Sequence, residues 1–325
     1  MKPITCHPHT AAGFPALLSL NDFGLNNNLE QFLQWFAENR PDIDALVHEV
    51  GGVLIRNTGI NNDQDFTSFV QVAIKDKALD YVSGNSPRMK LGGGVYTSTE
   101  FAADREIPIH NEMSYAADWP GRIYFCCIIP AATGGETPLA NSHNIYQDLP
   151  EHIRNAFEQK QVAYIRNLHS GNGIGASWMD TFETDSRDQV SAVLRQSGTE
   201  FAWKSDGALW MRQVRPAIIN HPRWNKKIWF NQVDEFHPSS NGEELYEAML
   251  DLYGGDSSQF PMYAQFGDGT EIPMEYLNTV RTVIRNNTVS FPWQKGDIMY
   301  LDNIMLGHGR MPFTGERRTL VAMSK

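Results

Sequence analysis

The chain has 325 residues, 41% hydrophobic and 20% charged, a composition that folds around a core rather than staying disordered. Its 27 basic and 38 acidic residues leave a formal net charge of −11, which argues against nucleic acid or an anionic membrane as the main partner. No apolar run nears the roughly 20 residues a membrane helix needs, MKPITCHPHT shows no secretory leader, and three cysteines, two of them adjacent (Cys126 and Cys127), read as free thiols of a cytoplasmic protein.

In chain order, NLEQFLQWFAEN places Leu29, Phe32, Leu33 and Phe36 at helical spacing, and Pro41 is expected to end that helix. GGVLIRN (51–57) reads as a buried strand after a glycine turn, and 63–80 as a second helix with Phe66, Phe69, Val70 and Ala73 on one face. Residues 82–105, rich in Gly, Ser and Thr, read as irregular. From there strands dominate: 107–113, 122–129, 162–168, 200–203, 208–214, 216–220, 227–231, 288–291, 297–303 and 318–323. Helices are expected only near 242–252 and 272–286. Many short strands with Gly/Pro turns predict an antiparallel sandwich or barrel, organised as one domain over 1–325 with a helical segment in 1–50.

His110-Asn111-Glu112 is the first half of a candidate metal site. On a strand, residues two apart share a face, so an imidazole and a carboxylate project together. H-x-E alone is a weak signal. The second half lies in GDIMYLDNIMLGHGRMPFTGERR, where a strand runs through Asp302 and Asn303 to His308. Two His and one carboxylate on one face of an ion leave open positions, the donor set of non-haem Fe(II) oxygenases. A structural zinc site would prefer four closed ligands, usually with Cys. A 2-oxo acid bound to such an iron needs a cation for its far carboxylate, and Arg supplies parallel donors. Arg317 and Arg318 follow His308 on the next strand and face opposite sides, so only one can serve; the Thr137 hydroxyl in ATGGETPLAN can add a bond.

These residues, with HNEMSYAADWP, GGETPLANS, GNGIGASWMDTF, WQKGDIMYLDN and HGRMPFTGERR, resemble the TauD/TfdA family of Fe(II)- and 2-oxoglutarate-dependent dioxygenases, and within it the SyrP-like branch. The resemblance runs from about Gly51 to the C-terminus. It implies a double-stranded β-helix (jelly-roll, cupin-like) core flanked by helices. It implies Fe(II) on His110, Glu112 and His308, with 2-oxoglutarate on Thr137 and on Arg318, the second Arg of the family's pair, and O₂ as the other co-substrate. It further implies hydroxylation of an amino acid or amino-acid-derived molecule, free or tethered to a carrier protein, in non-ribosomal peptide or other secondary metabolism. Taurine-type members carry a further Arg where this chain has Ala322, so a sulfonate substrate is not expected. Related halogenases have Ala or Gly where this chain has Glu112, so hydroxylation, or alternatively desaturation or epoxidation of a free small molecule, is expected instead.

Other readings stay open at this stage. A Zn-dependent hydrolase could use the same three ligands, and a catalytically silent barrel could serve only as a binding partner. Arg122 and Arg310, which flank the motifs, and Trp178, in a mobile active-site loop expected over about 165–200, are candidate substrate contacts. Gly171 to Ala176 fits G-x-G-x-x-A, but the polar residues that follow do not make the packed helix a dinucleotide site needs. His7 and His9 have ligand spacing in a terminal tail, and Lys226 and Lys227 near Arg223 form the one basic patch a carrier could meet.

Overall fold

A computed structural model describes residues 6–25, 27–74, 79, 89–98 and 101–325. An eight-stranded sheet runs in the order His7–Pro8, Ala16–Ser19, Gly52–Arg56, Ile298–Asp302, Arg122–Ile129, Arg318–Ser324, Val95–Thr97, Lys90–Gly92. Its pairs are antiparallel except Ala16–Ser19 with Gly52–Arg56. Facing it is a smaller sheet of Thr288–Val289, Leu139–Asn141, Leu306–Arg310 and Ile107–His110. Two such facing antiparallel sheets are the jelly-roll expected from the sequence.

The strands of the large sheet are apolar on both faces because both faces are covered. Tyr124, Cys126, Leu320 and Ala322 pack under the helices Leu29–Val50 and Asp63–Ala73. Phe125, Cys127, Val321 and Met323 point the other way, into the space between the sheets. The adjacent cysteines therefore belong to opposite faces, both as buried free thiols.

The first helix does not stop at Pro41. It runs from an Asn28 cap, whose side chain accepts from the Gln31 N–H, to Gly51. Its buried stripe of Phe32, Phe36, Ile43 and Val47 continues past the proline, and Pro41 itself is exposed. The lost hydrogen bond falls on the wet face while packing holds the other. Gly51 sits at φ 88°, and a Cβ there would lie 2.7 Å from Leu306, so the residue must be glycine on two counts. The second helix ends at Ala73, and 75–78 and 80 of its expected span lie outside the described residues, as do 82–88 and 99–100 of the expected irregular stretch.

A third layer is a four-stranded sheet ordered Glu200–Trp203, Leu209–Arg215, Val162–Leu168, Met262–Phe266. The helices Glu151–Lys160 and Met274–Asn286 bury Ile153, Phe157, Leu277 and Val280 against Val162, Tyr164, Ala264 and Phe266. Residues expected as a mobile loop, about 165–200, hold the end of one strand and the helices Trp178–Phe182 and Arg187–Gln196. The G-x-G-x-x-A stretch leads into that five-residue helix, too short for a dinucleotide fold, and instead wraps His169, whose Nδ1 accepts from the Gly171 N–H at 3.1 Å. The N-terminal His7–Pro8 pairs with Leu17 and Ala16 at the sheet edge rather than trailing as a tail.

Candidate metal centre

His110 ends one strand of the small sheet, and His308 sits at the middle of its neighbour, directly across in register. The two imidazole rings lie 4.6 Å apart between centroids. Glu112 is two residues beyond the strand, in a turn where Met113 adopts φ 57°. The expected strand parity is therefore not what aims its carboxylate; the turn is. Glu112 Oε2 lies 3.6 Å from His308 Nε2 and 4.0 Å from His110 Nε2. One ligand atom from each residue falls within 4.8 Å of the others, and all three residues are buried.

The supports of this cluster are specific. His110 Nδ1 lies 2.8 Å from the Pro108 carbonyl. A carbonyl only accepts, so Nδ1 carries the proton and the Nε2 lone pair faces Glu112, the tautomer a metal requires. The Glu235 carboxylate lies 3.6 Å from the same Nδ1, and Gln232 Nε2 donates to Glu235 at 2.6 Å. Asn303, fully buried, fixes the turn. Its Oδ1 accepts from the Glu112 N–H at 2.8 Å, and its Nδ2 donates to the carbonyls of Glu112 at 3.1 Å and Pro120 at 2.8 Å. Asp302 Oδ1 accepts from the Ile304 and Met305 N–H groups, a local turn bond after the strand. Asn303→Ala removes three buried hydrogen bonds. It should weaken ferrous-ion affinity about 10- to 100-fold, read by anaerobic metal titration, with an unchanged affinity counting against this role.

The cavity beside the two histidines is lined by Ser98, Ile107, Phe125, Thr137, Gly309, Arg310 and Arg317. Thr137 Oγ1 accepts from Trp293 Nε1 at 3.1 Å, which leaves its own proton available to a ligand. Arg317 enters from the strand end. Its Nε donates to the Gly135 carbonyl at 2.9 Å and one terminal nitrogen donates to Ser98 Oγ at 3.2 Å. Burial, and then the neighbouring Arg310 charge, push its guanidinium down to about 10.

Arg318, the expected 2-oxoglutarate clamp, faces the other way. It shares the face of Leu320 and Ala322 and pairs in a fork with Asp63 at the start of the second helix. Arg122 is not beside the metal cavity either: it donates to Asp302 Oδ2 at 3.0 Å and reaches His48. Burial raises the Asp302 carboxyl, but His221 and Arg122 outweigh it and hold the group below its ordinary range. Trp178 is buried in a separate cluster with Leu168, Phe182 and Leu209, its ring 5.1 Å from that of Trp203. Of the three candidate substrate contacts only Arg310 lines the cavity, and its guanidinium donates to the carbonyls of Phe101, Ala102 and Arg105. Within the expected basic patch, Lys227 pairs with Glu158, Lys226 lies over the Trp224 ring, and Arg223 contacts His48.

Two imidazoles and one carboxylate, buried together between the sheets of a jelly-roll, are the donor set of a mononuclear non-haem iron oxygenase. Residues 18–324 match the family described as taurine catabolism dioxygenase TauD, TfdA family, and the chain belongs to it. The dapdiamide synthesis protein DdaC of Enterobacter agglomerans is 36% identical over 288 residues, covering 89% of this chain and 86% of that protein. A clavaminate synthase-like protein of Arabidopsis thaliana is 31% identical over 310 residues, covering 92% and 88%. The fold is similar to the PvcB protein of Pseudomonas aeruginosa, with TM-score 0.54 at 16% identity over 99% of this chain and 91% of that one. It is likewise similar to a taurine dioxygenase of Burkholderia xenovorans, with TM-score 0.53 at 12% identity over 99% and 89%. The metal is Fe(II), and 2-oxoglutarate and O₂ are the co-substrates. Among the described residues no helix is long and apolar enough to cross a membrane.

Proposed function

We propose that this dioxygenase is a hydroxylase of an amino acid or amino-acid-derived small molecule in a secondary-metabolite pathway, with Arg317 and Thr137 holding the distal carboxylate of 2-oxoglutarate. The carrying observation is Arg317, a largely buried guanidinium that donates to the Gly135 carbonyl and the Ser98 hydroxyl, in the same cavity as Thr137 and both histidines. A buried cation without a carboxylate is costly until an anion arrives, and a guanidinium is built to take a carboxylate. The zinc-hydrolase reading gives no task to that group.

Bound Fe(II) supplies, with 2-oxoglutarate and O₂, the oxidising power that inserts one oxygen into an unactivated C–H bond as succinate and CO₂ leave. The chain's residues orient and shield. His110, Glu112 and His308 would hold the metal, Pro108 and Glu235 fix the His110 ring, and Phe125 stands 5.0 Å from the His308 ring as an apolar wall. Glu112 occupies the position a halide would need, which supports hydroxylation over halogenation. The name of the relative DdaC, a synthesis protein, supports the biosynthetic setting.

The test is direct. Protein loaded anaerobically with Fe(II) should develop a weak visible charge-transfer band on addition of 2-oxoglutarate, and should release succinate when O₂ is admitted. Absence of both would sink the reading.

A further inference from the structure

Trp293 opens the segment WQKGDIMYLDN, whose far end carries Asp302 and Asn303 beside the metal centre. It sits in a surface turn between exposed Pro292 and exposed Gln294 and Lys295, yet is itself buried. Its ring belongs to the apolar cluster of Phe14, Phe125 and Phe291. Phe125 lines the metal cavity and Trp293 does not, so what the indole does to a bound ligand it does through another side chain.

That side chain is Thr137. Trp293 Nε1 donates to Thr137 Oγ1 at 3.1 Å, and both residues are buried. A hydroxyl oxygen carries one proton and two lone pairs. The indole N–H, a donor only, takes one lone pair, and the hydroxyl proton is turned away from Trp293. Among the described residues no acceptor in the chain takes that proton. Thr137 lines the cavity with Arg317 and both histidines, so a ligand there is the acceptor it lacks. A carboxylate only accepts, and it makes the stronger, charge-assisted bond.

The turn that carries Trp293 is fixed from several sides. The Gly296 N–H donates to the Cys127 carbonyl at 2.8 Å, and the Cys127 N–H to the Asp297 carbonyl at 3.0 Å. The Asp297 carboxylate accepts from the Gln294 N–H at 2.9 Å and from Arg56 Nε at 3.3 Å. The Arg56 guanidinium also donates to the Pro292 carbonyl at 3.2 Å, and the Thr58 hydroxyl to the Gly296 carbonyl at 2.6 Å. The indole donor therefore keeps its direction before a ligand arrives, and less freedom is lost on binding.

We propose that Trp293 is a positioning residue for the co-substrate: by occupying one lone pair of Thr137 Oγ1 it presents the hydroxyl proton to the distal carboxylate of 2-oxoglutarate. This rests on the reading above, in which Thr137 and Arg317 hold that carboxylate, and deepens it.

The test is binding to protein loaded anaerobically with Fe(II), where nothing turns over. Calorimetry compares N-oxalylglycine, an unreactive mimic with both carboxylates of 2-oxoglutarate, against oxalate, which fills the same metal positions and lacks the distal carboxylate. Trp293→Phe keeps an aromatic ring and removes the donor; it should weaken N-oxalylglycine about three- to tenfold and leave oxalate within about twofold. Arg56→Gln, at a half-buried position, loosens the turn with the indole in place and should weaken N-oxalylglycine alone about twofold. Thr137→Val should weaken N-oxalylglycine about tenfold, and adding Trp293→Phe to it should change nothing further, because the indole acts through the hydroxyl. Equal loss of both ligands in Trp293→Phe, or losses that add in the double variant, would overturn the proposal. Thr137→Val without effect on N-oxalylglycine counts against the clamp reading itself. A loss in Thr137→Val with none in Trp293→Phe or Arg56→Gln counts against the role of Trp293 alone.

Discussion

Glu112→Ala is expected to abolish succinate release under saturating 2-oxoglutarate and O₂, by about a thousandfold or more, because two histidines alone do not make the three-ligand face such an iron needs. The substitution separates metal binding from folding unusually well. Asn303 holds the turn through the backbone N–H and carbonyl of residue 112, and both survive truncation of the side chain. The carboxylate itself is buried beside two imidazoles, so the metal-free variant should melt at or above the wild-type temperature. What should vanish is the ferrous-ion-dependent rise in Tm. A ligand at a hundred times its Kd adds about 2.7 kcal/mol to the native state, a shift of several degrees for wild type. Metal content after anaerobic loading, Tm with and without Fe(II), and succinate yield check the three parts. Wild-type-like turnover would remove Glu112 from the ligand set.

The fold was legible wherever local chemistry and tertiary role agree. Continuous β-branched and aromatic runs bounded by turns gave Arg122–Ile129, Val162–Leu168 and Glu200–Trp203 to the residue. The strand Leu306–Arg310 was not legible as a strand, since LGHGR has the two glycines a strand avoids. The reason is a long-range contact. A Cβ on Gly309 would lie 2.5 Å from the Ile107 carbonyl oxygen, so the close pairing that brings His308 to His110 demands glycine. The helices Ser142–Asp148, Glu151–Lys160 and Arg187–Gln196 went unseen because they are short and largely polar. Two carried a readable start: Asn141 and Ser186 accept the first-turn N–H groups. The site's residues were legible as types, and their supports less so. Glu112 reaches the histidines through a turn stapled by Asn303, a bond spanning 191 positions that no local pattern announces. Pro108, Glu235 and Ser98 act through a carbonyl, a distant helix and a loop, and none lies in a motif.

The choice between Arg317 and Arg318 shows where pattern reading stops, and it yields the second large expected effect. Alternation says the two point apart, but not which points in, because Leu320 and Ala322 on one face and Val321 and Met323 on the other are equally apolar. The covering helices decide: Asp63 lies on the outer side and takes Arg318. Arg317→Ala should therefore raise the KM for 2-oxoglutarate roughly a hundredfold or more, since losing one partner of a buried charge pair costs about 2–5 kcal/mol. The clamp is made equally in ground and transition states, so kcat at saturation should change little. Arg317→Lys keeps the charge without the fork and should fall between the two. Arg318→Ala loses an ion pair more than a third exposed on both sides, worth at most about 1 kcal/mol of stability, and should leave KM within about twofold. Initial-rate measurements across a 2-oxoglutarate series for the three variants decide it. A large KM effect at Arg318 with none at Arg317 would return the role to the second arginine, and would require the outer face of that strand to turn inward when the co-substrate binds.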